Sequence, residues 1–463
     1  MTMIRRLIVL FFCLFLPVAA FCGKKEKPEL VAGVLSDVHI NFARPKHDTV
    51  FLKTLEFFKA KNVDAILITG DLVNDGVEAE LKRFADVYFH VFPDDKGLKG
   101  KHVERVFVYG NHDMDGHTYP GAIKRHGEEY LAHHAIGIHA AELWEKYFKE
   151  PYSPFYRKEV KGYTFLASHY VDAREAPGMA EWFKEQEDAL LQTDKPVFYI
   201  QHKSPRGTVP WVADNGVSTK ILGQYPNIIC FSGHSHCSLV DERCIWQGSF
   251  TSVGASSLKS VGGRSYRENT GKQRKGHVSQ MKVNTGALGH HGILMEVYKD
   301  RVELHRYDFY NFLPLGVWTI PTDVSQRPYD LKLRTALGAE NPPQFEKRDK
   351  VSIERVTGKN RNKERVKQVK VIFPVVVSKG KSPRALDYRI VVEKMTDPSV
   401  VTMEKRVYSK RFYWAEKMEQ ISGVWCVFAE SELPQGEPFR FAVYPEDSFY
   451  NEGKPIYSNY IVL

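Results

Sequence analysis

The sequence predicts an α/β layered domain followed by a smaller all-β sandwich domain, and three features of the chain indicate this. Up to about residue 230, short β-branched or aromatic runs alternate with segments of helical spacing, a pattern typical of α/β proteins. From Phe250 the pattern changes to short strands, which we expect to complete a second sheet packed against the first. Beyond residue 345, strand-like segments follow one another between Gly, Pro and Asp turns, which favours a β-sandwich.

The elements of the first domain follow from local pattern. Strands are predicted at Val31–Leu35, Ala65–Thr69, Val106–Tyr109, Val197–Ile200 and Ile228–Phe231. Helices are predicted around Phe51–Phe58, Val77–Val91, Ile138–Phe148, Met179–Leu191 and Val217–Tyr225. Because prolines are frequent from 313 to 345, we assign that stretch to a linker, with the first domain at 28–312 and the sandwich at 346–463.

Length and charge limit the class of protein. A chain of 463 residues is long enough for two or three domains, and 43% hydrophobic residues are typical of a packed protein. The formal net charge of +9 favours anionic substrates. Since the basic residues form no concentrated stripe, we expect no nucleic-acid partner.

The first 20 residues predict a signal peptide. Arg5-Arg6 form a positive start, Leu7–Leu16 form an apolar core, and Val18-Ala19-Ala20 form a small-residue cleavage site. The apolar run is too short to span a bilayer. We therefore expect an extracytoplasmic protein, periplasmic or secreted. Cys22 leaves open the alternative of a lipoprotein with a lipid anchor at that residue.

Polar side chains follow each of the five predicted strands of the first domain, and we expect them to form one metal site. The candidate metal ligands are Asp37, His39, Asp71, Asn111, His202, His234 and His236. In α/β sheets, ligand sites form where the carboxyl ends of strands converge. Mixed imidazole and carboxylate ligands suit zinc, manganese or iron rather than calcium.

The number of ligands is sufficient for two divalent or transition metal ions that share one carboxylate. The first ion would be bound by Asp37, His39, Asp71 and His236, and the second by Asp71, Asn111, His202 and His234. Each set leaves room for water, as catalytic sites do. Two such ions can bind a phosphate, lower the pKa of a shared water and orient its attack.

Two further residues are candidate catalytic groups. His112 lies beside a predicted ligand but is not needed as one, so we expect it to donate a proton to the leaving oxygen. Asp113 is expected to orient and charge that imidazole.

Together these blocks resemble the signature of the calcineurin-like metallophosphoesterases. The matching segments, in chain order, are Asp37-Val38-His39, Gly70-Asp71, Gly110-Asn111-His112-Asp113, His202 and Gly233-His234-Ser235-His236. The resemblance covers about residues 29–310 and implies a four-layer sandwich, with two sheets between outer helices and a dinuclear site. Thr69–Gly76 and the Gly110–Asp113 block look similar to the cyclic-nucleotide phosphodiesterase branch. Residues 439–463 resemble the last strands of a fibronectin type III or immunoglobulin domain.

The sequence therefore predicts an exported phosphoesterase that attacks phosphate esters with metal-bridging hydroxide, with phosphodiesters preferred over monoesters. The substrate would be a phosphate-ester small molecule, a lipid or a nucleotide. Two alternatives stay open. One is a phosphomonoesterase of the nucleotidase type that scavenges phosphate. The other is a non-catalytic surface-binding protein that uses the first domain as a scaffold.

Other residues near the motifs are weaker candidates. Tyr119 and Trp211 follow motif blocks and could line the pocket, whereas His169, His290 and His291 are more typical of satisfied loop histidines. A basic loop could recognise the substrate anion or could simply be solvated; its residues are Arg264, Arg267, Lys272, Arg274 and Lys275. Cys237 and Cys244 are the first pair to test for a disulfide, although the pattern favours ordinary buried thiols.

Overall fold

The structure is a computed structural model that describes residues 26–43, 45–170, 178–192, 195–210, 214–261, 289–360, 362–376, 384–399, 401–409 and 423–463. The predicted signal peptide, Cys22, Trp211 and the basic loop at 264–275 lie outside the described residues. Among the described helices, none combines the length and the apolar character needed to cross a bilayer.

Strands and helices are numbered in chain order. The strands are β1 Leu30–Leu35, β2 Ala65–Ile68, β3 Glu104–Phe107, β4 Phe155–Val160, β5 Tyr163–Ser168, β6 Val197–Ile200, β7 Ile228–Ser232, β8 Ile245–Gln247, β9 Thr251–Gly254, β10 His291–Val297, β11 Arg301–Asp308, β12 Leu313–Pro321, β13 Ser352–Lys359, β14 Arg365–Phe373, β15 Asp387–Lys394, β16 Val401–Tyr408, β17 Val424–Ala429, β18 Phe439–Glu446 and β19 Ile456–Tyr457. The helices are α1 Lys46–Ala60, α2 Glu78–Val91, α3 Asn111–Met114, α4 Pro120–His126, α5 Glu128–His134, α6 Ala140–Phe148, α7 Met179–Glu185, α8 Glu187–Leu190, α9 Val217–Leu222 and α10 Leu331–Glu340.

Two mixed sheets form the first domain. In the described part of the chain one sheet has the order β12-β11-β10-β1-β2-β3, and the other has the order β4-β5-β6-β7-β9-β8. Strands β1, β2 and β3 are parallel to one another, as are β5, β6, β7 and β9. Within each parallel set, the carboxyl ends of the strands therefore lie at one edge of the sheet.

Successive residues of a strand face the other sheet and the outer helices in turn, and this explains the layered arrangement of the first domain. In β2, Leu67 packs between the two sheets, whereas Ile66 packs against the helices outside. In β6, Phe198 faces the other sheet and Tyr199 faces the outer helices. Because successive strand residues point to opposite sides, each sheet buries both faces. The predicted four-layer α/β sandwich is confirmed.

Two assignments of the later strands differ from the prediction. We expected the strands after Phe250 to complete a second sheet packed against the first. Strand β9 does join β7 of the second sheet, but β10 and β11 extend the sheet of β1. Residues 313–321, predicted as part of the linker, form β12, which pairs with β11. Proline is tolerated at such an edge strand because one side of the strand needs no donors, and buried Leu315, Trp318 and Ile320 hold it on the sheet.

The C-terminal part is all-β, as predicted. Its described strands form the sheets β13-β14-β17 and β16-β15-β18-β19. A buried core that includes Val369, Phe373, Tyr388 and Phe441 lies between them. The arrangement is that of a β-sandwich. A further strand predicted at 411–415 lies outside the described residues.

Candidate metal centre

The predicted ligands come from both sheets of the first domain. Asp37 and His39 follow β1, Asp71 follows β2, and Asn111 begins α3 a few residues after β3. His202 follows β6, and His234 and His236 follow β7 of the other sheet. The loops are joined through their backbones: the N–H of Asp37 donates to the carbonyl of Gly70 at 2.9 Å, and that of Gly233 donates to His202 at 2.8 Å. The structure brings all seven side chains to one place.

Most of these side chains sit on an unusual backbone. The φ angle is +50° at Asp37, +51° at His39, +54° at Asp71, +63° at His234 and +49° at His236. A non-glycine residue rarely adopts the left-handed region, and such outliers tend to occur at functional sites. The left-handed backbone at these five residues turns the chain sharply just after β1, β2 and β7.

Close packing at the site also needs glycine. A Cβ at Gly110 would overlap the backbone nitrogen and a carboxylate oxygen of Asp71, and a Cβ at Gly233 would overlap Ser36 and Asp37. Glycine at these positions allows the ligand loops to approach each other.

The Asp71 carboxylate lies between two groups of ligands. Its Oδ1 lies 3.3 Å from Nε2 of His202, and its Oδ2 lies 3.4 Å from Nε2 of His39. One oxygen thus faces each group, which is the geometry that a bridging carboxylate requires.

In the first group, Asp37, His39 and His236 place their ligand atoms within reach of one ion. Oδ1 of Asp37 lies 2.8 Å from Nε2 of His236 and 3.6 Å from Nε2 of His39. Nδ1 of His236 is 2.9 Å from the carbonyl of Ser260, which fixes the ring so that Nε2 points into the group. Such an outer hydrogen bond is typical of metal-bound histidine.

The surroundings of the His39 side chain show whether the first group fits a metal ion. Its side chain is 1% exposed, yet neither ring nitrogen makes a hydrogen bond among the described residues. An imidazole buried without a partner is costly, so such groups in proteins are hydrogen-bonded or bound to metal. Burial also holds the pKa of His39 well below its usual range, which leaves the neutral ring that a metal needs.

In the second group, His202 and His234 converge on Asp71. Nδ1 of His202 is held 2.8 Å from the carbonyl of Thr69, and its Nε2 lies 2.9 Å from Oδ1 of Asn111. Burial lowers the pKa of His234 to about 3, so this ring too is neutral. Although burial opposes it, the Asp71 carboxylate raises the pKa of His202 to about 9, so this ring would lose a proton on binding a metal. With that proton lost, the group offers two imidazoles, a carboxylate oxygen and an amide oxygen.

His112 lies at the junction of the two groups. Its backbone N–H donates to Oδ1 of Asp71 at 2.7 Å, and its Nδ1 lies 2.7 Å from the carbonyl of Asn74. Because a carbonyl oxygen can only accept a hydrogen bond, the proton of this bond is on Nδ1, and Nε2 remains available for a second partner. The ring lies 4.5 Å from the His39 ring and 5.0 Å from the Tyr119 ring, between centroids.

The part predicted for Asp113 differs from the structure. Its carboxylate is fully buried and accepts the backbone N–H groups of Leu72, Val73 and Gly110 at 2.7–3.1 Å. The His112 ring is instead held by Asn74. Burial, together with repulsion from Asp71, raises the pKa of Asp113 to about 8. Asp113 thus ties the loop after β2 to the start of α3, and so it positions ligands rather than the proton donor.

Of the weaker candidates from the sequence analysis that the structure describes, one borders the site and the others belong to neither ligand group. The Tyr119 hydroxyl accepts a hydrogen bond from Nδ2 of Asn111 at 2.8 Å, so this residue does border the site. His169 is buried and accepts the N–H of Tyr109, while His290 and His291 bond to backbone groups, and none of them belongs to a ligand group among the described residues. Cys237 and Cys244 are buried thiols that form no disulfide with each other.

One residue of the site was missed. Nζ of Lys259 donates to Oδ1 of Asn74 at 2.7 Å, and its backbone N–H donates to the carbonyl of Asp37. It places a positive charge beside the His112 loop. The only available signal was its position shortly after β9, which is too weak to single out one lysine.

Comparisons with known proteins bear on the family. Residues 31–238 match the model of the calcineurin-like phosphoesterase family. No curated protein matches the chain. The chain therefore contains a calcineurin-like phosphoesterase domain, as the motifs implied. The class that the fold and this match define is a hydrolase of phosphate esters whose family binds divalent metals.

Several solved structures are weakly similar. A dimetal phosphatase from Danio rerio has a TM-score of 0.39 at 10% identity, over 64% of this chain and 100% of that one. The anchor in the inner membrane complex of Plasmodium has a TM-score of 0.38 at 12% identity, over 63% and 88%. A Thermus thermophilus protein has a TM-score of 0.30 at 12% identity, over 63% and 99%. With TM-scores below 0.5, none of them supports an inference about this chain.

Proposed function

We propose that the protein is an exported phosphoesterase with a dinuclear metal centre, and that it prefers phosphodiesters. The observation that carries the dinuclear centre is the position of Asp71, whose two oxygens face His39 on one side and His202 on the other. The preference for diesters rests on the motif similarity to the cyclic-nucleotide phosphodiesterase branch.

In this proposal each of the two ligand groups described above would hold one metal ion. Asp37, His39 and His236 would hold one ion, His202, His234 and Asn111 the other, and Asp71 would bridge them. When bound, manganese, iron or zinc would supply a positive charge for the phosphate and a water activated near neutral pH.

The chain's own residues would do the rest. Asn74 fixes the His112 ring through its Nδ1 proton, so that the doubly protonated ring would deliver its Nε2 proton to the leaving oxygen. Lys259, beside Asn74, would add positive charge where the departing part of the substrate lies. Tyr119 holds the amide of Asn111 so that its oxygen faces His202.

The test compares two substrates on the same metal-loaded protein. We expect kcat/KM for bis-p-nitrophenyl phosphate to exceed that for p-nitrophenyl phosphate, and both activities to disappear on chelation. A reversed ratio would indicate a phosphomonoesterase of the scavenging type. Metal-loaded protein that cleaves neither ester would favour the surface-binding alternative.

A matched pair of variants ties activity to the site. His39→Gln removes a proposed ligand, whereas His169→Gln removes an equally buried histidine outside both groups. We expect His39→Gln to lose metal and activity and His169→Gln to keep its metal content. Equal metal content in the two variants would contradict the assignment of His39.

Export is tested separately. We expect the mature protein to begin after residue 20, or at a lipid-bearing Cys22. Mass spectrometry of the N-terminal peptide from the native host distinguishes these outcomes, and an intact residue 1–20 segment would overturn export by this signal.

A further inference from the structure

A second group of metal-type ligands lies away from the proposed catalytic centre. Glu296 in β10 pairs directly with Glu303 in β11, and His305 lies two residues further along β11. These three side chains therefore share one face of the sheet. Glu296 also pairs with Val31 of β1, six residues before Asp37, which places the group about 20 Å from the catalytic centre at 3.3 Å per residue.

The three ligand atoms lie within 4.8 Å of one another, as ligands of one metal ion must. Nε2 of His305 lies 3.2 Å from Oε2 of Glu296 and 3.3 Å from Oε2 of Glu303. In tetrahedral zinc sites with bonds of about 2.0–2.1 Å, neighbouring ligand atoms lie about 3.3–3.4 Å apart. Despite these short distances, Nε2 is inaccessible to solvent and makes no hydrogen bond of acceptable geometry with the residues that the structure describes.

The two carboxylates are held by neighbouring side chains. The Tyr298 hydroxyl donates to Oε2 of Glu296 at 2.8 Å. Nε of Arg301 donates to Oε1 of Glu303 at 2.7 Å, which leaves Oε2 toward His305. Partners of this kind orient ligands before a metal binds.

The local charge also favours a cation. The guanidinium of Arg301 contacts Glu26 and Asp300 as well as Glu303, at 2.7–2.9 Å. Together with Glu296, which lies opposite Glu303, the patch contains four carboxylates and one guanidinium, in a chain whose net charge is +9. The ligands are each about one-quarter exposed, which leaves room for a water ligand.

We propose that Glu296, Glu303 and His305 form an additional zinc-binding site, separate from the catalytic centre. Imidazole and carboxylate are both ligand types that Zn²⁺ binds, and three protein ligands plus water complete its usual four-coordinate sphere. The competing explanation is a protonated His305 that forms an ordinary salt bridge with the two glutamates and binds no metal.

The experiment counts zinc in the full chain. Wild-type protein, His305→Ala and His102→Ala are dialysed against the same saturating free zinc, and the bound metal per chain is measured by mass spectrometry. His102 is a matched control because it also pairs with a glutamate two residues away, Glu104, at 3.0 Å, but among the described residues no second carboxylate lies within ion-pair distance of its ring. Since the catalytic centre is the same in all three proteins, its zinc cancels in the comparison.

We expect His305→Ala to bind one zinc fewer than the wild type and His102→Ala to bind the same number. Phosphoesterase activity should be unchanged in both, which separates this site from the catalytic centre. Glu303→Gln, which keeps the size of the side chain, should also lose one zinc while retaining its circular dichroism spectrum. Equal zinc content in wild type, His305→Ala and Glu303→Gln would overturn the proposal.

Discussion

Replacing His112 is the sharpest test of the proposed chemistry. In the structure its Nδ1 is bound to the Asn74 carbonyl at 2.7 Å, so that only Nε2 is left for a substrate. No side-chain atom of His112 is required by the seven proposed ligands. We therefore expect His112→Ala to keep its metal ions and lose the proton donor.

The size of the loss should depend on the leaving group. General acid catalysis contributes about 10²–10⁴-fold, or about 3–5 kcal/mol of barrier. An alkyl ester, whose leaving oxygen must be protonated, should lose that full factor in kcat/KM. A p-nitrophenyl ester leaves as a stable anion, so its loss should be much smaller.

The assay measures kcat/KM for a series of diesters of decreasing acidity of the leaving alcohol, with metal content determined on the same samples. His112→Asn is the matched variant, because an amide can still donate to Asn74 but cannot transfer a proton. We expect both variants to show the same steeper dependence on the leaving group. An equal loss across the series, recovery in His112→Asn, or loss of metal would refute the role of proton donor.

Three further predictions concern metal binding and stability. Asp71→Asn should lower the occupancy of both metal ions, measured by elemental analysis, because its two oxygens face both groups; unchanged metal content would contradict bridging. Burial raises the pKa of Glu80 from 4.5 to about 8, so the folded state keeps a proton that the unfolded chain loses. The free energy of unfolding should therefore fall between about pH 4.5 and 8, by up to about 1.4 kcal/mol per pH unit. In urea titrations at pH 5 and pH 8, Glu80→Gln should show a smaller fall in the free energy of unfolding than the wild type. An equal fall in the two proteins would contradict the prediction. Phe58→Ala, which empties a fully buried site under the first sheet, should cost about 3–5 kcal/mol, whereas Leu191→Ala at a 65% exposed position should cost less than about 0.5 kcal/mol in the same titration.

Much of the first domain could be predicted from local pattern. The runs that became β1, β2, β6 and β7 are short, apolar and flanked by turn residues, and each was placed to within about two residues. The ligands were found because they follow those strands directly. Strands without that signal were missed. One of them, β13, is mostly exposed, and it is held as a strand by pairing with β14.

Sheet membership could not be predicted in the same way. The sequence of β10 indicates a buried strand but carries no information on whether it pairs with β1 or with β9. Likewise, the prolines of residues 313–321 predict a break, and only the edge position beside β11 makes them compatible with a strand.

By itself the sequence determined which side chains could bind metal, because residue type and position after a strand are local properties. Only the tertiary structure decided what each of them contacts. In the folded protein the two oxygens of Asp71 face different ligand groups. The His112 ring contacts Asn74 rather than Asp113, and Lys259 lies beside the site. These contacts join residues far apart in the chain, and they depend on how two sheets and their loops pack, which local pattern does not encode.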